Sequence, residues 1–102
     1  MYISVYITCG NKEEAGKIAE ILVTEKLVAC VNYFPVNSVY VWEGKLEKSY
    51  EYVLLCKTRK ENFGKIKTRV KEMHSYEVPA ILAFEIFDGN KEYLDWVDGS
   101  VK

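Results

Sequence analysis

The sequence predicts an α+β domain in the order β-α-β-β-α-β with a short C-terminal helical segment. Three observations carry that prediction. Tyr2 to Cys9 alternates strictly, with Ile3, Val5, Ile7 and Cys9 on one face and Tyr2, Ser4, Tyr6 and Thr8 on the other, as in a strand with one apolar face. Two later windows change to helical period. Between them, two long strand-like runs flank a Glu43-Gly44 turn, the pattern of an antiparallel hairpin.

In order along the chain, β1 is followed by a helix in which Ala15, Ile18, Ala19 and Leu22 recur at i, i+3, i+4 and i+7. Asn11 with Glu14 three residues on resembles a capping box. The run VACVNYFPVNSVYVW is a strand interrupted by Pro35, which fits an edge position or a bulge. Leu46 to Lys57 runs back beside it, and both exceed the usual five or six residues, so the hairpin is expected to project from the body. A second helix from about Lys60 buries Phe63, Ile66, Val70 and Met73. Pro79 forces extended geometry on Val78, and AILAFEIF reads as a strand throughout. Asp88-Gly89-Asn90 then turns the chain into a last segment carrying Tyr93, Leu94, Trp96 and Val97.

Two right-handed crossovers place both helices on one face of a four-stranded antiparallel sheet, a ferredoxin-like sandwich spanning residues 1–102 as one domain. A sheet with one wet face should alternate, yet AILAFEIF and YVLLC are apolar on both faces. The far face therefore calls for a cover, and a second copy of the chain is the expected one.

Net charge is −1 across 102 residues, which gives nucleic acid nothing to bind by general electrostatics. No run reaches the roughly 18 apolar residues of a membrane span, and the N-terminus lacks a signal-peptide pattern, so a cytoplasmic protein without a membrane partner is expected. Cys9, Cys30 and Cys56 are widely spaced and odd in number, which gives neither a zinc-finger pattern nor a disulfide framework.

The chemistry-bearing residues each have a structural and a functional reading. Trp42 sits at the hairpin turn, as an interface aromatic or as the wall of a ligand cleft. Glu51 and Lys57, at i and i+6 on one strand face, are solvated charges or groove-lining ones. Cys30 is a packed thiol or a metal ligand that needs partners from elsewhere. His74, the only histidine, closes the second helix, where an imidazole favours the C-terminal dipole; as a ligand it would act with Glu77 or Cys30. Tyr76 and Glu77 stand beside it, but no nucleophile elbow, phosphate loop or triad spacing is present, so no enzyme is expected.

The segments EKLVACVN, SVYVWEGK, Glu51, CKT, HSYEVP and YLDWV, in order along nearly the whole chain, together resemble the CutA-like divalent-cation tolerance proteins. Two departures stand out: Cys9-Gly10-Asn11 lies where that family commonly has a proline, and Ser75 replaces the proline of its His-Pro-Tyr loop. The resemblance implies a homotrimer with sheets packed inward and hairpins reaching neighbouring subunits. It implies that Trp42, Glu51, Lys57, His74, Tyr76, Glu77, Tyr93 and Trp96 gather at clefts between subunits. It also implies copper or another divalent transition metal, with no obligatory cofactor, and Cys30 and His74 match positions the family often holds. The architecture is similar, too, to PII-type signalling trimers, which implies a small-molecule ligand: an anionic metabolite held by Lys57 and stacked on Trp42.

Overall fold

The computed structural model describes all 102 residues. The elements are β1 (Tyr2–Cys9), α1 (Lys12–Thr24), β2 (Cys30–Trp42), β3 (Lys45–Arg59), a 3-10 turn (Lys60–Asn62), α2 (Phe63–Met73), β4 (Ile81–Glu85) and α3 (Lys91–Ser100). All strand pairs are antiparallel, in the order β2-β3-β1-β4.

Burial along β1 alternates residue by residue, as its sequence alternates. Ile3, Val5, Ile7 and Cys9, with Leu54 and Cys56 of β3, meet Ala15, Ile18, Ala19 and Leu22 of α1 and Ile66 and Val70 of α2. Each large aliphatic side chain buried here contributes about 2 kcal/mol over an exposed one. One polar group enters this core and is fully partnered. Thr58 Oγ1 donates to the Leu27 carbonyl at 2.7 Å, and Asn62 Nδ2 donates to Thr58 Oγ1 at 3.2 Å and to the same carbonyl at 3.3 Å. That anchor tucks Asn62 beneath the sheet edge, and α2 begins at Phe63 rather than at Lys60.

Helix α1 starts and stops as its sequence directs. Asn11 Oδ1 accepts from the Glu14 amide at 2.8 Å. At the other end Lys26 adopts φ 59°, and the Lys26 and Leu27 amides donate back to Val23 and Leu22, closing a Schellman motif.

The hairpin pairs without a break from Cys30↔Lys57 to Trp42↔Lys45, so Pro35 sits on an edge strand and makes no bulge. Glu43 and Gly44 both have positive φ, 50° and 78°, the two-residue turn whose twist matches the strands. Strand β1 pairs with β3 only from Tyr52 to Arg59. The rest of the hairpin is a free two-stranded arm, which stretches the molecule to 45 × 25 × 21 Å.

Strand β4 is shorter than the sequence suggests. Its pairing ends at Ile3↔Glu85, with one further bond from the Ile86 amide to the Tyr2 carbonyl. By then β1 has no backbone left to offer, and Phe87 is fully exposed. Helix α3 covers one end of the far face: its Arg59–Asp98 ion pair measures 2.9 Å, and Val97 is buried. The β4 side of that face stays open, with Leu82 51% and Phe84 54% exposed and Tyr6 edge-on to Phe84 at 6.4 Å.

Candidate functional site

The end of β1, the start of α1 and the end of α2 meet at one end of the sheet. There Cys9 Sγ, a Glu14 carboxylate oxygen and a His74 ring nitrogen lie within 4.8 Å of one another. His74 ends α2 as its C-cap, with its amide on the Val70 carbonyl at 2.9 Å. Its side chain is fully buried, unlike the exposed helix-terminal imidazole the sequence suggests. Nδ1 accepts from the Tyr76 amide at 3.0 Å, so Nε2 carries the proton and donates to the Thr8 carbonyl at 2.7 Å. His74 thus joins β1 to the segment after α2.

Glu14 makes the reciprocal link. Its carboxylate accepts from the Gly10 amide at 3.1 Å and from the Ser75 amide at 2.8 Å, binding α1 to the same segment. Burial would raise its pKa, but the Ser75 and Gly10 amides outweigh it and hold the carboxyl below its usual value. A carboxyl depressed on folding contributes its full stability above the ordinary value of about 4.3 and loses it as pH falls. The stability difference between the native chain and Glu14→Gln should therefore stay constant from neutrality to about pH 5 and shrink below it. Urea unfolding between pH 7 and pH 3 reads this directly, and an unchanging gap would show that Glu14 adds nothing through its charge. Cys9 behaves oppositely. Burial first, then the nearby Glu14 and Glu51 charges, push its thiol up to about 12, so it is protonated at neutral pH.

A second feature is a cleft of about 580 Å³ between the free arm and residues 76–80, lined by Tyr6, Thr8, Ser38, Tyr40, Trp42, Glu51, Tyr76, Glu77, Val78 and Ala80. Glu51 is only 6% exposed, and the Tyr76 hydroxyl donates to its Oε2 at 2.7 Å. Burial, with that hydrogen bond to Glu51, drives the Tyr76 phenol well above its usual value, so it remains a neutral donor. Of the sequence candidates, Trp42, Glu51, Tyr76 and Glu77 converge here.

The others lie elsewhere. Lys57 is hydrogen-bonded to Asn32, and Cys30 Sγ lies 3.1 Å from the Tyr93 hydroxyl, whose ring packs on Trp96 at 5.6 Å. That contact with Cys30, and burial, push the Tyr93 phenol up to about 12. Cys30 is thus apart from the Cys9–Glu14–His74 group. Sequence reasoning overlooked Cys9 and Glu14 as members of that group. The only signal was Glu14 at capping distance from Asn11, beside a cysteine at a strand end.

Comparison with known proteins places these features. The family model described as CutA1 divalent ion tolerance protein matches residues 3–100. A divalent-cation tolerance protein CutA from Archaeoglobus fulgidus is 47% identical with both chains fully covered, and one from Thermus thermophilus is 48% identical with 91% of each chain covered. The solved Archaeoglobus structure, described as a periplasmic divalent cation tolerance protein, superimposes with a TM-score of 0.98 over the whole of both chains. The Thermus structure does so with a TM-score of 0.96, again over all of both chains. No helix of the present chain is long and apolar enough to cross a membrane. With sequence and fold matching over essentially its whole length, this chain belongs to the CutA1 divalent ion tolerance family.

Proposed function

We propose that the protein supports divalent-cation tolerance as a cytoplasmic homotrimer that binds a transition metal ion weakly and needs no obligatory cofactor. The observation that carries the metal reading is the Cys9–Glu14–His74 group, which offers thiol, carboxylate and imidazole donors within 4.8 Å. These donor types suit copper better than magnesium or calcium. Each is already engaged. Cys9 must lose a proton held up to about 12, and His74 Nδ1 must give up the Tyr76 amide. Both costs favour weak binding, and the loss of the Cys9 proton makes it strengthen as pH rises. The bare apolar sheet face and the projecting arm support assembly, and three free cysteines suit a reducing compartment.

Calorimetric titration of Cu(II) into reductant-free protein, with light scattering to fix the oligomer, tests this. Saturable binding at a fixed ratio is expected, lost in Cys9→Ala and retained in Cys30→Ala. Loss in Cys30→Ala alone would move the ion to the Cys30–Tyr93 contact. Weak binding unaffected by any of these changes, His74→Ala included, would end the metal reading. The cleft supports a second reading, a small-ligand trimer of the PII kind, since about 580 Å³ lies within the range of ligand sites.

A further inference from the structure

The cleft has a chemistry of its own, independent of any metal ion. Four aromatic rings line it, from Tyr6, Tyr40, Trp42 and Tyr76. Its only charged lining groups are two carboxylates, Glu51 and Glu77; no lysine, arginine or histidine lines it. Glu51 is nearly buried, yet its hydrogen-bond partner is a neutral phenol and not a cation. A carboxylate removed from water without a counter-charge favours any cation that reaches it. Ring faces attract cations as well, within about 6 Å of the centroid.

The nearest cation by register is Lys45, opposite Trp42 at the exposed tip. Lys57, the anion-binding candidate, is six residues from Glu51 along β3, roughly 20 Å at about 3.4 Å per strand residue. An anion held in the cleft would meet two carboxylates and no lysine, arginine or histidine among the lining residues, so the anionic-metabolite reading fits poorly.

We propose that this cleft binds a small organic cation, an ammonium ion carrying an aromatic or alkyl group, among the aromatic rings that line it and against the carboxylates of Glu51 and Glu77. Glu51 holds the charge at the base of the cleft, with Tyr76 fixing its orientation. Glu77, exposed at the rim, adds to the field.

Trp42 fluorescence reports on the site once Trp96 is replaced by phenylalanine, leaving a single tryptophan. Phenethylammonium is the probe, with 3-phenylpropionate as the anionic and 2-phenylethanol as the neutral control of similar shape. Saturable quenching by the ammonium ion is expected, at least about tenfold tighter than either control, and about tenfold weaker in Glu51→Gln. Glu51→Gln keeps an acceptor for Tyr76. Should it fail to fold, Glu77→Gln, at an exposed position, decides through a smaller loss in the same direction. Equal or tighter binding of phenylpropionate would overturn the proposal, as would ammonium binding unchanged in the glutamine variants or the absence of saturation.

Discussion

Replacing His74 with alanine should cost the fold about 3–5 kcal/mol, although this polar residue lies only at the margin of the central hydrophobic cluster, beside Cys9 and Val70. Two terms add. Deleting a fully buried ring leaves a cavity, and truncations of that size cost about 2–5 kcal/mol. The change also strands the Thr8 carbonyl and the Tyr76 amide, each worth about 1–3 kcal/mol when left buried without a partner. Local relaxation returns part of that sum. Guanidinium unfolding at neutral pH measures the loss, and one under about 1 kcal/mol would show that the histidine is held in place by its neighbours instead of holding them. The copper experiment must be interpreted with this in mind, since a His74 variant loses structure as well as a donor. Cys9→Ala is the cleaner probe because it removes a single sulfur atom and strands no hydrogen-bonded group.

Phe84→Asp should turn the proposed homotrimer into single chains. Phe84 lies on the bare sheet face, more than half exposed in one subunit, so the change leaves the subunit core untouched. In a homotrimer packed through that face the new carboxylate would be buried without a partner, at a cost of several kcal/mol per subunit. Mass by light scattering reads the result, with Leu82→Asp as a second position on the same strand face. A variant that scatters with the native mass would show that this face is not the one that assembles.

The order of elements was legible because each announces itself locally: the alternation of β1, the i, i+3, i+4 stripe of α1, the positive-φ turn at Glu43-Gly44. The length of β4 was not, since it depends on where β1 runs out of backbone, which AILAFEIF cannot indicate. The site was half legible. Trp42, Glu51, Tyr76 and Glu77 did converge. Lys57 did not join them, because it lies six residues from Glu51 towards the base of the hairpin, away from the arm that walls the cleft. The Cys9–Glu14–His74 group was hidden for a different reason. Glu14 spends its carboxylate on Ser75, far away in sequence, and only the packing of both helices on one sheet face brings them together. A capping spacing shows that a helix begins but not what else its third residue will hold.

The place of β1 in the sheet has a consequence for how the chain is made. Within this domain the earliest strand, β1, is a central one, and its two neighbours are β3 and the much later β4. β1 can pair with β3 once Arg59 has been synthesised, but its other edge stays open until Ile81–Glu85 follows. Pairings this distant in sequence require their loop-closure entropy before they return any stability, which slows folding. For a short domain the wait is brief, and the β2–β3 hairpin, whose partners are adjacent in the chain, can form meanwhile.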